Sequence, residues 1–150
     1  MEIAFVTDTA TLCLFDEEVM RHRLDDAADW WAVPEEELEE VNKGNALFIA
    51  LGSDGRYRAR IEVSDRPAAE GALTARVKCS SGKLFIGPGE DMSGEDVGPN
   101  TKAGGVFLDL APATYEVAVR LTAPAELEVR LRHVDAEAAN NLASPLVLTR

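Results

Sequence analysis

Arg56-Tyr57-Arg58-Ala59-Arg60-Ile61-Glu62-Val63 is the stretch that decides the fold. Tyr57, Ala59, Ile61 and Val63 share one parity while three arginines and a glutamate take the other, which is the period of a strand with one buried face. Upstream, Ala46-Leu47-Phe48-Ile49-Ala50-Leu51 is apolar at both parities and reads as an interior strand. Gly52-Ser53-Asp54-Gly55 lies between them, with glycines able to take positive φ, so the two runs are expected to pair as a hairpin.

The alternation recurs on both sides of this stretch. Leu73, Ala75, Val77 and Cys79 alternate with Thr74, Arg76, Lys78 and Ser80, and Ser81-Gly82 turns into Lys83 to Ile86. Val106 to Leu110, Tyr115 to Leu121 and Leu127 to Leu131 follow; Ile3 to Thr7 and Thr11 to Phe15 precede, and Leu146 to Leu148 reads as a closing edge strand. Short strands separated by turn residues predict an all-β fold, a two-sheet antiparallel sandwich of Greek-key or jelly-roll type, over one domain spanning 1–150. Pro34-Glu35-Glu36-Glu37-Leu38-Glu39-Glu40-Val41-Asn42 interrupts it as one short surface helix. Proline and acids open this helix, and Lys43-Gly44 stops it.

With 46% apolar residues in 150, the chain has enough core to need no metal or disulfide staple. No apolar run approaches the roughly 20 residues of a membrane helix. No basic region precedes an apolar stretch at the N-terminus, so no secretory signal is expected. Cys13 and Cys79 fall inside strand-like runs and read as buried, reduced thiols, which fits the cytoplasm. The net charge is -12, and residues 1–45 contribute 13 acids against 3 bases. Such acidity argues against nucleic acid or an anionic membrane as partner.

Catalytic constellations are missing from the sequence. His22 lies between Arg21 and Arg23 and reads as a solvated strand end, and His133 has the parity of Leu127, Val129 and Leu131, which predicts a partly buried ring. No nucleophile elbow, zinc pair or phosphate loop occurs. An enzyme is not expected, and no cofactor is implied. Glu90, Asp91, Glu95 and Asp96 put four carboxylates on an unpatterned 87–105 stretch, a candidate calcium loop, although the spacing matches no EF-hand. Arg56, Arg58, Arg60, Arg76, Lys78, Arg130 and Arg132 share outward strand positions with Glu62, Glu116, Glu126 and Glu128, as cross-strand ion pairs would require.

Asp25, Asp26 and Asp29 lead into Trp30 and Trp31, followed by the acidic helix. In an extended chain adjacent rings face opposite ways, so one tryptophan can enter the core while its neighbour covers a sheet end or stays exposed. An exposed tryptophan rimmed by acids is an anchor that protein interfaces use. The reading favoured by the size of the rings, since large aromatics bury most of their area, is that both plug the open end of the sandwich.

Asp29-Trp30-Trp31, Pro34, Glu37-Leu38, Val41-Asn42, Gly44-Asn45, Leu51-Gly52, Asp54-Gly55 and Tyr57 resemble a bacterial family of small uncharacterised β-sandwich proteins over the first 60 residues. That resemblance implies no catalytic residue. Val106-Phe107-Leu108-Asp109-Leu110, Pro112 and Tyr115-Glu116-Val117 are similar to the end of the competence nuclease-inhibitor family of small acidic bacterial β proteins, with Ala113 where that family has a turn glycine.

The expected function is therefore that of an acidic bacterial binding protein, an inhibitor or immunity-type partner of a basic toxin or nuclease. Its partner would meet Asp25, Asp26, Asp29, Trp30, Trp31, Glu36, Glu39 and Glu40. The alternatives are a ligand- or calcium-binding sandwich module using the 87–105 loop, and an accessory subunit whose acidity serves only solubility.

Overall fold

The computed structural model describes residues 1–23, 30–92 and 101–148. Its elements are β1 (Glu2–Thr7), β2 (Thr11–Phe15), α1 (Pro34–Asn42), β3 (Ala46–Ala50), β4 (Gly55–Val63), β5 (Leu73–Cys79), β6 (Lys83–Pro88), β7 (Val106–Asp109), β8 (Ala113–Ala123), β9 (Glu126–Val134) and β10 (Leu146–Val147). They form two five-stranded sheets, sheet A in the order β1-β4-β9-β8-β5 and sheet B in the order β10-β3-β2-β6-β7. Among the described residues, the sandwich, its strands and its one short α-helix are those the sequence predicts.

Two features depart from expectation. The sheets are mostly antiparallel, but β4 pairs parallel with β9 and β10 pairs parallel with β3. The β3–β4 hairpin does not form, because Gly52 to Asp54 carry the chain from sheet B across to sheet A. The β1–β2 and β5–β6 links cross between the sheets in the same way. The patterns of the two strands explain the crossing. β3 is apolar at both parities and needs cover on both faces, while β4 alternates and needs cover on one. At both described crossings from sheet B into sheet A a tyrosine closes the turn. Tyr57 donates to the carbonyl of Ser53 and Tyr115 to that of Ala111, each at 2.7 Å.

Sheet A has one wet face. Tyr57, Ala59, Ile61, Val117, Val119, Val129 and Leu131 are buried, while the intervening charged residues face outward. In sheet B, all of β2 and most of β3 and β6 are buried at both parities. Leu12, Leu14, Leu47, Ile49, Leu84 and Ile86 face sheet A. The opposite parity carries Cys13, Phe15, Phe48 and Phe85, with Phe15, Phe85 and Phe107 in one cross-strand row at ring separations of 5.4 and 5.2 Å. This second apolar face is covered by 3-10 turns at Trp30–Ala32 and Gly89–Met92 and by α1, which packs on β3.

Side chains and loops close several sheet edges. On β5, Arg76 N–H donates to Asn140 Oδ1 at 2.8 Å, and Asn140 Nδ2 donates to Arg76 O at 2.9 Å and Val41 O at 2.8 Å. Gly44, at φ 75°, presses on Ala138 too closely to admit a side chain, and its carbonyl accepts from Lys78 N–H at 2.8 Å. On β1, Val6 N–H donates to Ala103 O at 2.9 Å. Among the described residues no helix is long and apolar enough to cross a membrane.

Candidate functional site

The acidic segment leaves β2 through Asp16. This buried carboxylate accepts from the N–H of Glu18 and from the N–H and hydroxyl of Ser81, so the chain turns sharply onto the outer face of sheet B. A 3-10 turn at Arg21–Arg23 follows, and its last two residues reach α1. Glu40 is the hub, with a side chain only 3% exposed. It accepts from His22 Nε2 at 2.9 Å, Arg23 Nε at 2.9 Å and Asn45 Nδ2 at 2.8 Å. Burial alone would raise its pKa, but the hydrogen bonds from Asn45, Arg23 and His22 outweigh burial and hold the carboxyl below its ordinary value. Arg23 also pairs with Glu36 at 3.1 Å and Glu39 at 3.6 Å, and its guanidinium lies 4.6 Å from the centre of the Trp30 ring.

Three expectations change here. Glu40 is not on a solvated face; it is a buried ion-pair centre. Glu36 and Glu39 remain accessible, but Arg23 partly neutralises both and Lys43 meets Glu39 at 3.2 Å. Neither tryptophan is an exposed anchor: Trp30 and Trp31 are 4% and 6% exposed. Both pack on Phe48, Trp31 stacked at 5.5 Å and Trp30 edge-on at 5.8 Å. The physical reason is the 3-10 turn, which sets adjacent side chains roughly 120° apart rather than opposite, so both rings reach one platform. Asp25, Asp26 and Asp29 lie outside the described residues. The accessible acids of this side are Glu17, Glu18 and Glu35, with Glu36, Glu37 and Glu39 around them. Glu37 is half-buried, and burial pushes its pKa up to about 7.

The second acidic cluster is divided. Glu90 accepts from the hydroxyls of Thr7 and Thr9 at 2.8 and 2.9 Å and from the N–H of Asp8, so it fastens the β1–β2 turn. Asp91 is raised to about 6 by burial and by the neighbouring Glu90 charge, and its Oδ2 is buried without a partner. Glu95 and Asp96 lie outside the described residues. Among the described residues no three His, Cys, Asp or Glu side chains gather as metal ligands.

Other reactive side chains are held in structural roles. Cys13 and Cys79 are buried free thiols, and burial raises both above the usual thiol value. His133 is exposed rather than partly buried, because the end of β9 runs past the inter-sheet core; it meets Tyr115 edge-on at 6.1 Å. The outer face of sheet A carries the ion pairs its sequence implies, including Arg58 with Glu2 at 2.8 Å, Arg120 with Glu128 at 3.1 Å and Arg132 with Glu116 at 3.0 Å. A hollow of about 370 Å³ on that face is lined by Glu2, Arg58, Arg60, Glu126 and Glu128, and presents no nucleophile–base pair.

The fold has solved counterparts. It is similar to ComJ from Bacillus subtilis, described as the inhibitor of the DNA degrading activity of NucA, at 11% identity and a TM-score of 0.55, covering 89% of this chain and 96% of that one. It is also similar to the product of crocagin biosynthetic gene J, at 13% identity and a TM-score of 0.56, covering 88% and 95% of the two chains. At these identities the likeness establishes a shared fold. No curated protein matches the chain at a significant level. Residues 1–148 match the model of the Family of unknown function (DUF6386), and the chain belongs to that family.

Proposed function

We propose that this protein is a non-enzymatic binding protein of inhibitor or immunity type, and that it holds a basic protein partner, a nuclease or toxin, on the acidic side above sheet B. The observation that carries the reading is the segregation of charge. Within residues 16–45 the described positions hold eight acids and three bases, whereas the outward strand positions of sheet A hold eight bases and five acids. A cationic partner is steered to one side of such a molecule. The fold shared with ComJ, whose described role is inhibition of a DNA-degrading activity, supports the same reading.

The docking residues in this reading are Glu17, Glu18, Glu35, Glu36 and Glu39, with Asp25, Asp26 and Asp29 belonging to the same acidic stretch. Trp30, Trp31 and Glu40 act beneath it as its support. The test is capture of the partner from the native host, followed by association kinetics against ionic strength. The captured protein should be basic, and its association rate should fall steeply as salt rises, because screening shortens the reach of exposed charges. An acidic partner, or a rate indifferent to salt, would remove the charge argument and leave the acidity a matter of solubility.

A further inference from the structure

We propose that the free edge of β7 is a self-association site, at which two copies of this chain pair antiparallel about Phe107 and join their B sheets into one. The proposal rests on backbone and side-chain geometry, and it stands whatever protein the acidic layer receives.

One bond sets the parity of β7. Leu110 N–H donates to Gly82 O at 2.9 Å, and the register continues without a shift through Leu108 opposite Leu84 and Val106 opposite Ile86. Antiparallel pairs alternate between hydrogen-bonded and non-bonded, so Val106, Leu108 and Leu110 direct their backbone groups to β6. Phe107 and Asp109 turn theirs away from the sheet, and among the described residues no backbone group pairs with them. Both edges of sheet A are treated differently. The Asn140 amide caps β5 at Arg76, and Gly44 O caps it at Lys78 N–H. Ala103 O caps β1 at Val6 N–H, with Gly104 against the Ala4 carbonyl too closely to admit a side chain. At the other edge of sheet B, β10 is only two residues long, and so short an edge is a poor template. Val106-Phe107-Leu108-Asp109 has none of these protections, nor a proline, a lysine or a bulge.

The side chains select the occupant. Phe15, Phe85 and Phe107 form one cross-strand row on the outer face of sheet B. Phe15 and Phe85 are fully buried, whereas Phe107, which ends the row at the open edge, is partly exposed. An antiparallel copy centred on Phe107 sets a second Phe107 opposite the first and continues the aromatic row into that copy. Val106 then meets Leu108 of the second copy on the core side. Centring the pair on Asp109 would instead set two carboxylates opposite each other, so the sequence favours the first register. Such a contact is isologous and closes at two chains. It also leaves α1 accessible. The helix packs on β3, and β2 and β6 lie between β3 and β7. Three strand spacings make roughly 14 Å, beyond the reach of screened charges at physiological salt.

Sedimentation velocity and hydrogen exchange across a dilution series test this on the full-length protein, in wild type, Phe107→Lys and the control Val147→Lys on β10. A four-residue edge makes a small interface, so wild type should pass from dimer to monomer on dilution through roughly the micromolar range. In the dimer the Phe107 amide gains an acceptor and should exchange roughly tenfold or more slowly than in the monomer. Phe107→Lys places two ammonium groups face to face and should be monomeric throughout, while Val147→Lys should dimerise as wild type does. Should Phe107→Lys fail to fold, the concentration dependence of the wild-type Phe107 amide decides alone. A wild type that stays monomeric up to roughly millimolar concentration overturns the proposal. So does a dimer whose Phe107 amide is no slower than the monomer's, one that survives Phe107→Lys, or one that is lost in Val147→Lys.

Discussion

Sheet A and sheet B each hold five strands, yet the outer face of one meets water and that of the other does not. On β4 and β9 a charge stands at nearly every second position, and the register sets Arg58 beside Glu126, Arg60 beside Glu128 and Glu62 beside Arg130. On β2 there is no polar face to solvate, since Thr11 to Phe15 are all buried. A strand that is apolar at both parities obliges the fold to supply a third layer, and here α1 and the 3-10 turns supply it. The acidity of the protein is concentrated on that layer. Its outer surface is highly charged, while its inner surface carries two tryptophans and a buried carboxylate.

This difference predicts where the molecule is fragile. The largest effect should come from the aromatic face of sheet B: Phe48→Ala removes the platform of both tryptophans and should cost about 3–5 kcal/mol in urea unfolding. Glu40→Ala should cost about 3 kcal/mol, because it strips a buried charged hub from its donors, whereas Glu35→Lys on the exposed turn should stay within about 0.5 kcal/mol. Asn140→Ala leaves the N–H and carbonyl of Arg76 and the carbonyl of Val41 without their partner, and should cost about 1–3 kcal/mol. If Phe48→Ala proves no worse than truncation of an exposed arginine of sheet A, the layer above sheet B contributes little and the contrast collapses.

Two carboxyls of α1 should separate by pH. Glu40 is held below its ordinary value, so its contribution is present above the unfolded-state pKa and disappears as pH falls through the lowered folded-state value. Glu37 has the opposite sign. Its folded-state pKa of about 7 exceeds the unfolded one, so stability falls as pH rises from the ordinary glutamate range toward 7. Glu37→Gln should therefore raise the melting temperature at pH 8 and leave it unchanged near pH 4. An equal effect at both pH values would mean that burial does not disturb this group.

The sequence made the strands, the helix limits and the buried cysteines readable, because alternation, proline and glycine placement are local signals. The pairing of the strands was less accessible. Both β3 and β4 are strands, yet whether Gly52 to Asp54 return the chain to the same sheet or carry it to the other depends on which sheet can bury both faces of β3. That signal was present in the contrast between Phe48 and Arg58, but it concerns cover and not turn chemistry. Glu40 was misread for a different reason. Its partners His22 and Arg23 lie 18 and 17 residues away, and no helical periodicity shows that a glutamate beside Val41 will be turned inward to meet them. Burial of both tryptophans was readable, since large aromatics bury most of their area; their place was not, because a 3-10 turn sets both rings on Phe48 over sheet B rather than at the open end of the sandwich.

Charge reversal on the two sides separately, read in association kinetics with the captured partner, tests the central claim most directly. One variant carries Glu17→Lys, Glu18→Lys and Glu35→Lys above sheet B; the other carries Arg56→Glu, Arg76→Glu and Lys78→Glu on sheet A, the same change in charge with opposite sign and location. The account predicts that the first slows association at low salt by about tenfold or more, and that the second leaves it unchanged or faster. Equal slowing by both variants, or slowing by the sheet A variant alone, would contradict it.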